Sequence, residues 1–349
     1  MSTLNSGFLN STYSKIKEKS LFGKWIVFPD IEPLFKDLSD LITSEVLGTS
    51  EQGRPIYKLT LGTGNKKILI WSQMHGNEST GTKAVFDFLN FIKEHKKTTI
   101  VKGLLKECTI KIIPMLNPDG ALAYTRINGN GVDLNRDAVD KKAKESNLLR
   151  DVLDNFNPKF CFNLHDQRTN FGVEGTKNPA TISFLAPSEE ITRKLTEGRK
   201  ETMDVIVAMN DLLQQIIPNH VGLYTDEFYP TATGDNFQKL GHNCILIEAG
   251  HYPNDYDREE TRKFNFFALL KGLNHIAEHN KYENYAPYAY IPQNNKAFFD
   301  VIHRYNKKSD IAFLYKDEII ENQLITTLIK QNGVKLDECF GHEEIVFDN

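Results

Sequence analysis

Short apolar runs separated by stretches of helical periodicity constrain the fold of this chain more than any other feature of its sequence. Six runs have the length and composition of strands: residues 53–61, 67–73, 108–115, 160–164, 181–185 and 244–247. Apolar residues at helical spacing fill three of the intervals: residues 80–95, 189–213 and 258–279. Strands that alternate with helices are typical of a sheet covered by helices on both faces. The sequence therefore predicts an α/β protein, a three-layer α/β/α sandwich with a mixed, largely parallel central sheet.

Three units are expected along the chain. Residues 51–283 carry the alternating pattern and are predicted to form the main domain, with residues 1–50 as an N-terminal segment packed on it. A stretch containing tyrosines and prolines follows at 284–292. It marks the start of a small C-terminal extension, residues 284–349, to which the sequence assigns no role.

The composition excludes several classes of function. A formal charge of -4 and a pI near 6.2 argue against nucleic-acid and anionic-membrane partners, which require a basic face. The four widely spaced cysteines are typical of buried thiols rather than of a disulfide framework. No apolar stretch has the length of a transmembrane span, and the first residues lack the apolar core of a signal peptide. A cytoplasmic protein acting on a peptide or small molecule is expected.

Four side chains suited to metal or proton chemistry lie at the ends of three predicted strands. His75 and Glu78 follow one buried strand, His165 follows a second, and Glu248 ends a third. Ligands of open α/β sheets bind beyond the carboxyl ends of the strands, so these side chains are expected to converge. Two histidines and one glutamate with a position left for water form a catalytic zinc arrangement. Each residue alone is weak evidence, and their shared placement carries the prediction.

A turn-rich loop at residues 126–136 adds two arginines, an asparagine and an acid. Arginine binds carboxylates through two parallel hydrogen bonds, so Arg136 with Asn135 could hold a terminal carboxylate. Arg126 could face developing negative charge. Asp133 could hold the second nitrogen of a ligand imidazole. A solvated loop with surface salt bridges is the alternative interpretation of this segment taken by itself.

In this order, the motifs resemble those of the zinc metallocarboxypeptidases of the carboxypeptidase A type. The matching elements are His75-x-x-Glu78, Asn117-Pro118-Asp119-Gly120, Arg126, Gly131-Val132-Asp133-Leu134-Asn135-Arg136, His165, and Glu248 within Ile-Glu-Ala-Gly. The resemblance covers about residues 50–280 and points to intracellular bacterial-type relatives. The ordered set is far more specific than any one motif.

The resemblance implies a role for each matching residue. His75, Glu78 and His165 would bind one Zn²⁺ ion, with Asp133 holding the first histidine. Glu248 would be the general base that passes the proton to the leaving amine.

The remaining implied roles concern the substrate. Arg126 would stabilise the oxyanion, and Asn135 and Arg136 would anchor the C-terminal carboxylate of a peptide or a small carboxylate-bearing amide. Tyr229 is the preferred position for the mobile tyrosine of the family; an aromatic side chain that packs under a loop is the alternative. Asp235 lies near the region that lines the specificity pocket, where an acid would favour a basic side chain; a hydrogen-bonding role in a loop is the alternative.

The predicted activity is hydrolysis of an amide bond next to a free C-terminal carboxylate. One alternative is a zinc N-acyl amino acid deacylase of the aspartoacylase and succinylglutamate desuccinylase type, which shares the zinc ligands, the Asp-Leu-Asn-Arg segment and a late glutamate. A second is an inactive carboxylate- or peptide-binding protein. The Asn117–Gly120 turn and the loop at 128–133 favour the carboxypeptidase.

Overall fold

An eight-stranded mixed sheet lies at the centre of the structure, a computed structural model that describes residues 4–306, 309–333 and 335–347. Its strand order is β1-β2-β4-β3-β5-β9-β7-β8. The strands of the chain up to the last helix are β1 Ile42–Thr49, β2 Pro55–Leu61, β3 Lys66–Ser72, β4 Cys108–Ile113, β5 Phe160–Asp166, β6 Gly172–Val173, β7 Ile182–Leu185, β8 Val221–Leu223 and β9 Asn243–Ala249.

Helices cover both faces of this sheet. They are α1 Ser6–Ile16, α2 Phe28–Ile31, α3 Thr80–Glu94, α4 Thr99–Glu107, α5 Pro118–Ala123, α6 Lys144–Phe156, α7 Glu197–Leu213, α8 Thr233–Lys239 and α9 Glu259–Glu278, with 3₁₀ turns at Glu32–Lys36, Leu134–Arg136 and Ala286–Tyr290. Successive residues of a strand point to opposite faces. On β3, Ile68 and Ile70 join the core beneath α3, α7 and α9, whereas Leu69 and Trp71 join the core beneath α6 and α8. The three-layer α/β/α prediction is confirmed.

Four adjacent strands, β4, β3, β5 and β9, run parallel, and the strands that flank this group are antiparallel to it. The carboxyl ends of the parallel strands therefore meet at one edge of the sheet. In the register of β5 with β9, His165 stands beside Glu248.

The helix predicted over 189–213 is wrong in its first part, because α7 begins only at Glu197. Thr196 is its N-cap, and the Thr196 hydroxyl accepts a hydrogen bond from the backbone nitrogen of Arg199. The same hydroxyl donates to Oε1 of Glu189, so the preceding residues form a loop tied to the cap. The other predicted strands and helices agree with the observed ones to within a few residues.

A second sheet follows the last helix. After the short β10, Asn294–Asn295, four strands form it in the order β13-β12-β11-β14. They are β11 Phe298–Tyr305, β12 Ile311–Ile320, β13 Gln323–Gln331 and β14 Phe340–Phe347. Glu321 and Asn322 join β12 to β13 with positive φ angles of 50° and 60°, the backbone of a tight hairpin turn. The division into units at 50 and 283 stays a prediction, although β1 is itself a strand of the central sheet.

The four cysteines, Cys108, Cys161, Cys244 and Cys339, are free thiols, and the first three are buried, as predicted. Among the described residues, no helix combines the length and the hydropathy required to cross a bilayer.

Candidate metal centre

The turn after β3 depends on a close approach between two backbones. A Cβ atom at Gly76 would lie 1.8 Å from the carbonyl carbon of Gly120, so only glycine fits there. Asn117 caps α5 by accepting from the backbone nitrogen of Gly120, and its amide donates to the carbonyl of Met74. The Asn-Pro-Asp-Gly motif thus supports the turn that carries His75.

Three side chains converge at the carboxyl end of β3 and β5. Nδ1 of His75 lies 2.8 Å from Oε1 of Glu78 and 3.1 Å from Nδ1 of His165. Nδ1 of His165 lies 2.8 Å from Oε2 of Glu78. These residues form a group whose ligand atoms all lie within 4.8 Å of one another.

The donor set fits a zinc ion. Bonds of about 2.1 Å in a tetrahedral site separate the ligand atoms by about 3.4 Å, close to the spacing found here. Two imidazole nitrogens 3.1 Å apart repel unless a proton or a cation lies between them. Burial lowers the pKa of His165, which favours the neutral imidazole that a metal requires.

Asp133 fixes the orientation of His75. Its Oδ1 lies 3.1 Å from Nε2 of His75, so that nitrogen carries the proton and Nδ1 is left with its lone pair facing Glu78. Its Oδ2 accepts from Nε of Arg126 at 2.9 Å. Although burial opposes the shift, His75 and Arg126 hold the pKa of the Asp133 carboxyl well below its usual range.

Arg126 also lies close to the predicted zinc ligands. Its Nη1 lies 3.2 Å from Nδ1 of His75 and 3.5 Å from Oε1 of Glu78. The side chain is 45% exposed, so its remaining hydrogen-bond donors are open to a ligand. This position suits a donor to negative charge that develops beside the group.

Glu248 is partly buried on β9, next to His165 on β5. Burial raises the pKa of the Glu248 carboxyl well above its usual value, and the carboxylates of Glu78 and Asp166 raise it further. A carboxyl group with a raised pKa beside a metal group is suited to accept and return a proton.

Asn135 and Arg136 form a separate corner beside α8. Oδ1 of Asn135 accepts from the backbone nitrogen of Thr233, which leaves its amide group to donate. Arg136 is exposed and donates to the carbonyl of Asn135. The charge of Arg136 acts on Asp235 and Tyr229, although burial raises the pKa of Asp235 and the hydrogen bond to Glu227 raises that of Tyr229.

Tyr229 and Asp235 have contacts of their own. The Tyr229 side chain is 48% exposed, and its hydroxyl donates to Oε2 of Glu227 at 2.7 Å. Asp235 is buried, and its Oδ1 accepts from the backbone nitrogen of Tyr229 at 3.0 Å. Asp235 thus makes a hydrogen bond within the loop, and its place in a specificity pocket stays a prediction.

Tyr224 is a candidate site residue that the sequence analysis did not single out. It follows β8 directly, and burial raises the pKa of its hydroxyl. The carboxylates of Glu248 and Glu78 raise that pKa further. Its position just after a strand, like that of His75, was the available signal.

A cavity of about 500 Å³ opens beside the metal group. Glu78 and Arg126 line it, together with Arg168 and Arg258. Residues of β12 and β13 also line it, so the second sheet contributes to the site.

Comparison with known proteins places this geometry in a family. The zinc carboxypeptidase model of peptidase family M14 matches residues 31–210, just over half of the chain. That range holds the three predicted ligands, Arg126 and the Asp133–Arg136 segment, whereas Glu248 lies beyond it.

Curated relatives match over parts of their length. Carboxypeptidase SOL1 of Arabidopsis thaliana is 25% identical over 189 residues, 48% of this chain and 38% of that protein. Cytosolic carboxypeptidase 6 of Mus musculus is 33% identical over 122 residues, 32% of this chain and 22% of that protein. The chain therefore spans well under half the length of these relatives.

Solved structures share the fold. Carboxypeptidase A of Helicoverpa armigera superposes with a TM-score of 0.58 at 16% identity, covering 78% of this chain and 80% of that one. A metallo-carboxypeptidase of Burkholderia cenocepacia gives 0.55 at 19% identity, covering 69% and 65%. With the family match and a histidine-glutamate-histidine group at the ends of adjacent parallel strands, the chain belongs to the zinc carboxypeptidases of peptidase family M14.

Proposed function

We propose that this protein is a zinc metallocarboxypeptidase that hydrolyses an amide bond next to a free C-terminal carboxylate. The observation that carries the proposal is the convergence of His75, Glu78 and His165, with Glu248 beside His165 in strand register. A zinc ion bound there would polarise the scissile carbonyl and lower the pKa of a coordinated water towards about 7.

The proton transfers are assigned to Glu248. Its carboxylate accepts a proton from the attacking water and later donates it to the leaving amine. Burial and the neighbouring carboxylates raise the pKa of the Glu248 carboxyl, which makes its carboxylate a stronger base. A base that must also act as an acid needs both forms to be accessible.

Arg126 and the corner beside α8 orient the substrate. Arg126, held by Asp133, donates to the oxygen that becomes negative when the carbonyl is attacked. Asn135 and Arg136 hold the terminal carboxylate, because a guanidinium and an amide offer several donors in fixed positions. The hydroxyl of Tyr229 already donates to Glu227, so Tyr224 is the better candidate to donate to the substrate near the reacting carbon.

The test is a Glu248→Gln variant of the zinc-loaded protein, assayed with short peptides and with acyl amino acids. The variant is expected to keep zinc and lose at least about 1000-fold in turnover, because its side chain cannot accept a proton. Glu283→Gln, a change at an exposed glutamate, serves as the control. Near-normal turnover in Glu248→Gln would remove the assignment of the base. Hydrolysis of acyl amino acids in preference to peptides would favour a deacylase instead, and a protein without zinc that only binds peptides would favour an inactive binding protein.

We also propose a cytoplasmic location. The four free thiols suit a reducing compartment, and two of the matching relatives are named cytosolic carboxypeptidases. Cell fractionation of the native protein tests this.

A further inference from the structure

The cavity beside the metal centre has a wall that comes from the C-terminal sheet. Its residues belong to β12 and β13 and are Leu314, Tyr315, Lys316, Asp317, Ile329 and Gln331. Glu78 and Arg126 of the metal centre line the same cavity. A molecule that occupies the cavity therefore touches both sheets.

Buried polar contacts fix this wall in place. Asp300 of β11 is buried, and its two carboxylate oxygens accept from the Tyr256 hydroxyl at 3.0 Å and the Tyr315 backbone nitrogen at 2.7 Å. Tyr256 precedes α9 and belongs to the main domain, so Asp300 joins the domain to β12. Unmaking such a bond would leave a buried carboxylate without a partner, which is unfavourable.

Further contacts join the same sheet to the main domain. Asp317 of β12 pairs with Lys24 and is hydrogen-bonded to the Tyr124 hydroxyl. On β14, Nε2 of His342 lies 2.8 Å from the carbonyl of Thr169. The wall is therefore part of the folded site rather than a loosely attached unit.

The position of the wall indicates which part of a bound peptide enters the cavity. Asn135 and Arg136, which hold the terminal carboxylate in the proposed function, do not line this cavity. The part of the substrate on the amino side of the scissile bond is then left to enter it. A volume of about 500 Å³ lies in the range of small-molecule sites. An extended chain advances about 3.3 to 3.6 Å per residue and soon reaches β12 and β13.

We propose that the C-terminal sheet ends the substrate site and restricts the protein to short substrates with only a few residues on the amino side of the scissile bond. This inference rests on the proposed function. Leu314 and Ile329, which are paired across β12 and β13, form the apolar part of the wall that would end the substrate site.

The experiment measures peptide binding, so that it does not depend on hydrolysis. Peptides that share their last two residues and grow from two to about ten residues are titrated by calorimetry into the zinc-loaded Glu248→Gln protein. Peptides of up to about four residues are expected to bind at least about 10-fold more tightly than those of eight or more. Equal affinity for short and long peptides would overturn the inference, as would failure of every peptide to bind.

A matched pair of variants tests the wall itself. Leu314→Ala combined with Ile329→Ala should reduce the difference in affinity between short and long peptides at least about 3-fold. Leu328→Ala changes a neighbour of similar exposure, 41% against 43% for Ile329, that does not line the cavity and should leave the difference unchanged. An unaltered length preference in the double variant would contradict the role of the wall. Hydrolysis by the wild-type protein is measured separately, so loss of the proposed activity and loss of the length limit give different results.

Discussion

At the scale of single residues, the sequence predicted the metal group because each ligand follows or ends a strand. His75, Glu78 and His165 lie together as expected, since their strands are adjacent and parallel. Tyr224 was harder to identify, because β8 has only three residues and two tyrosines follow it within six positions. A sequence pattern alone does not show which of two nearby aromatic side chains packs towards the interior of the protein.

The two tyrosines give a direct test of that assignment. Tyr224→Phe is expected to lower kcat/KM on a short peptide by about 10-fold to 100-fold, the cost of one hydrogen bond to a charged group. Tyr229→Phe should leave kcat/KM unchanged, because its hydroxyl already bonds to Glu227 at the surface. Steady-state kinetics of both variants provide the comparison. A loss confined to Tyr229→Phe would reverse the assignment.

At the scale of elements, the strands and most helices could be predicted because their apolar residues have a clear period. The C-terminal sheet could not, since β12 and β13 are largely exposed and carry apolar residues on both faces, such as Ile320 and Leu328. The loop before α8 also depends on a side-chain contact that has no periodic signal: Asp235 holds the loop through the backbone of Tyr229.

This contact between α8 and its loop predicts a pH-dependent stability. Burial raises the pKa of Asp235 to about 6, above the value of about 3.9 in an unfolded chain. An acid with a raised pKa destabilises the folded state as pH increases from the unfolded to the folded value, and the full penalty is present above about 6. Asp235→Asn removes the charge while its oxygen can still accept from Tyr229.

Relative to wild type, the unfolding free energy of Asp235→Asn should therefore rise by about 2 kcal/mol between about pH 4 and pH 8. Urea unfolding at both pH values measures it. Asp151→Asn, a change at an exposed site on α6, should show no such trend. A constant difference between Asp235→Asn and wild type would mean that Asp235 titrates normally.

At the scale of the whole molecule, the sequence did not predict that two sheets contribute residues to the site. The predicted extension was assigned no role, and its packing depends on single buried groups such as Asp300. Such contacts join residues far apart in the chain and have no periodic signal. The architecture of the main domain, by contrast, follows from local patterns that repeat along it.

The metal group joins the turn after β3 to the end of β5, so zinc should stabilise the molecule as a whole. Without a cation, Nδ1 of His75 and Nδ1 of His165 face each other at 3.1 Å, an arrangement that relaxes when no ion or proton lies between them. A ligand that binds only the folded state at about 1000 times its Kd adds about 4 kcal/mol, which corresponds to about 5 °C in Tm for a chain of this size. Scanning calorimetry with and without a zinc chelator should show that shift in the wild type and none in His165→Ala. Equal Tm values for the wild-type protein with and without chelator would mean that these side chains meet for a reason other than metal binding.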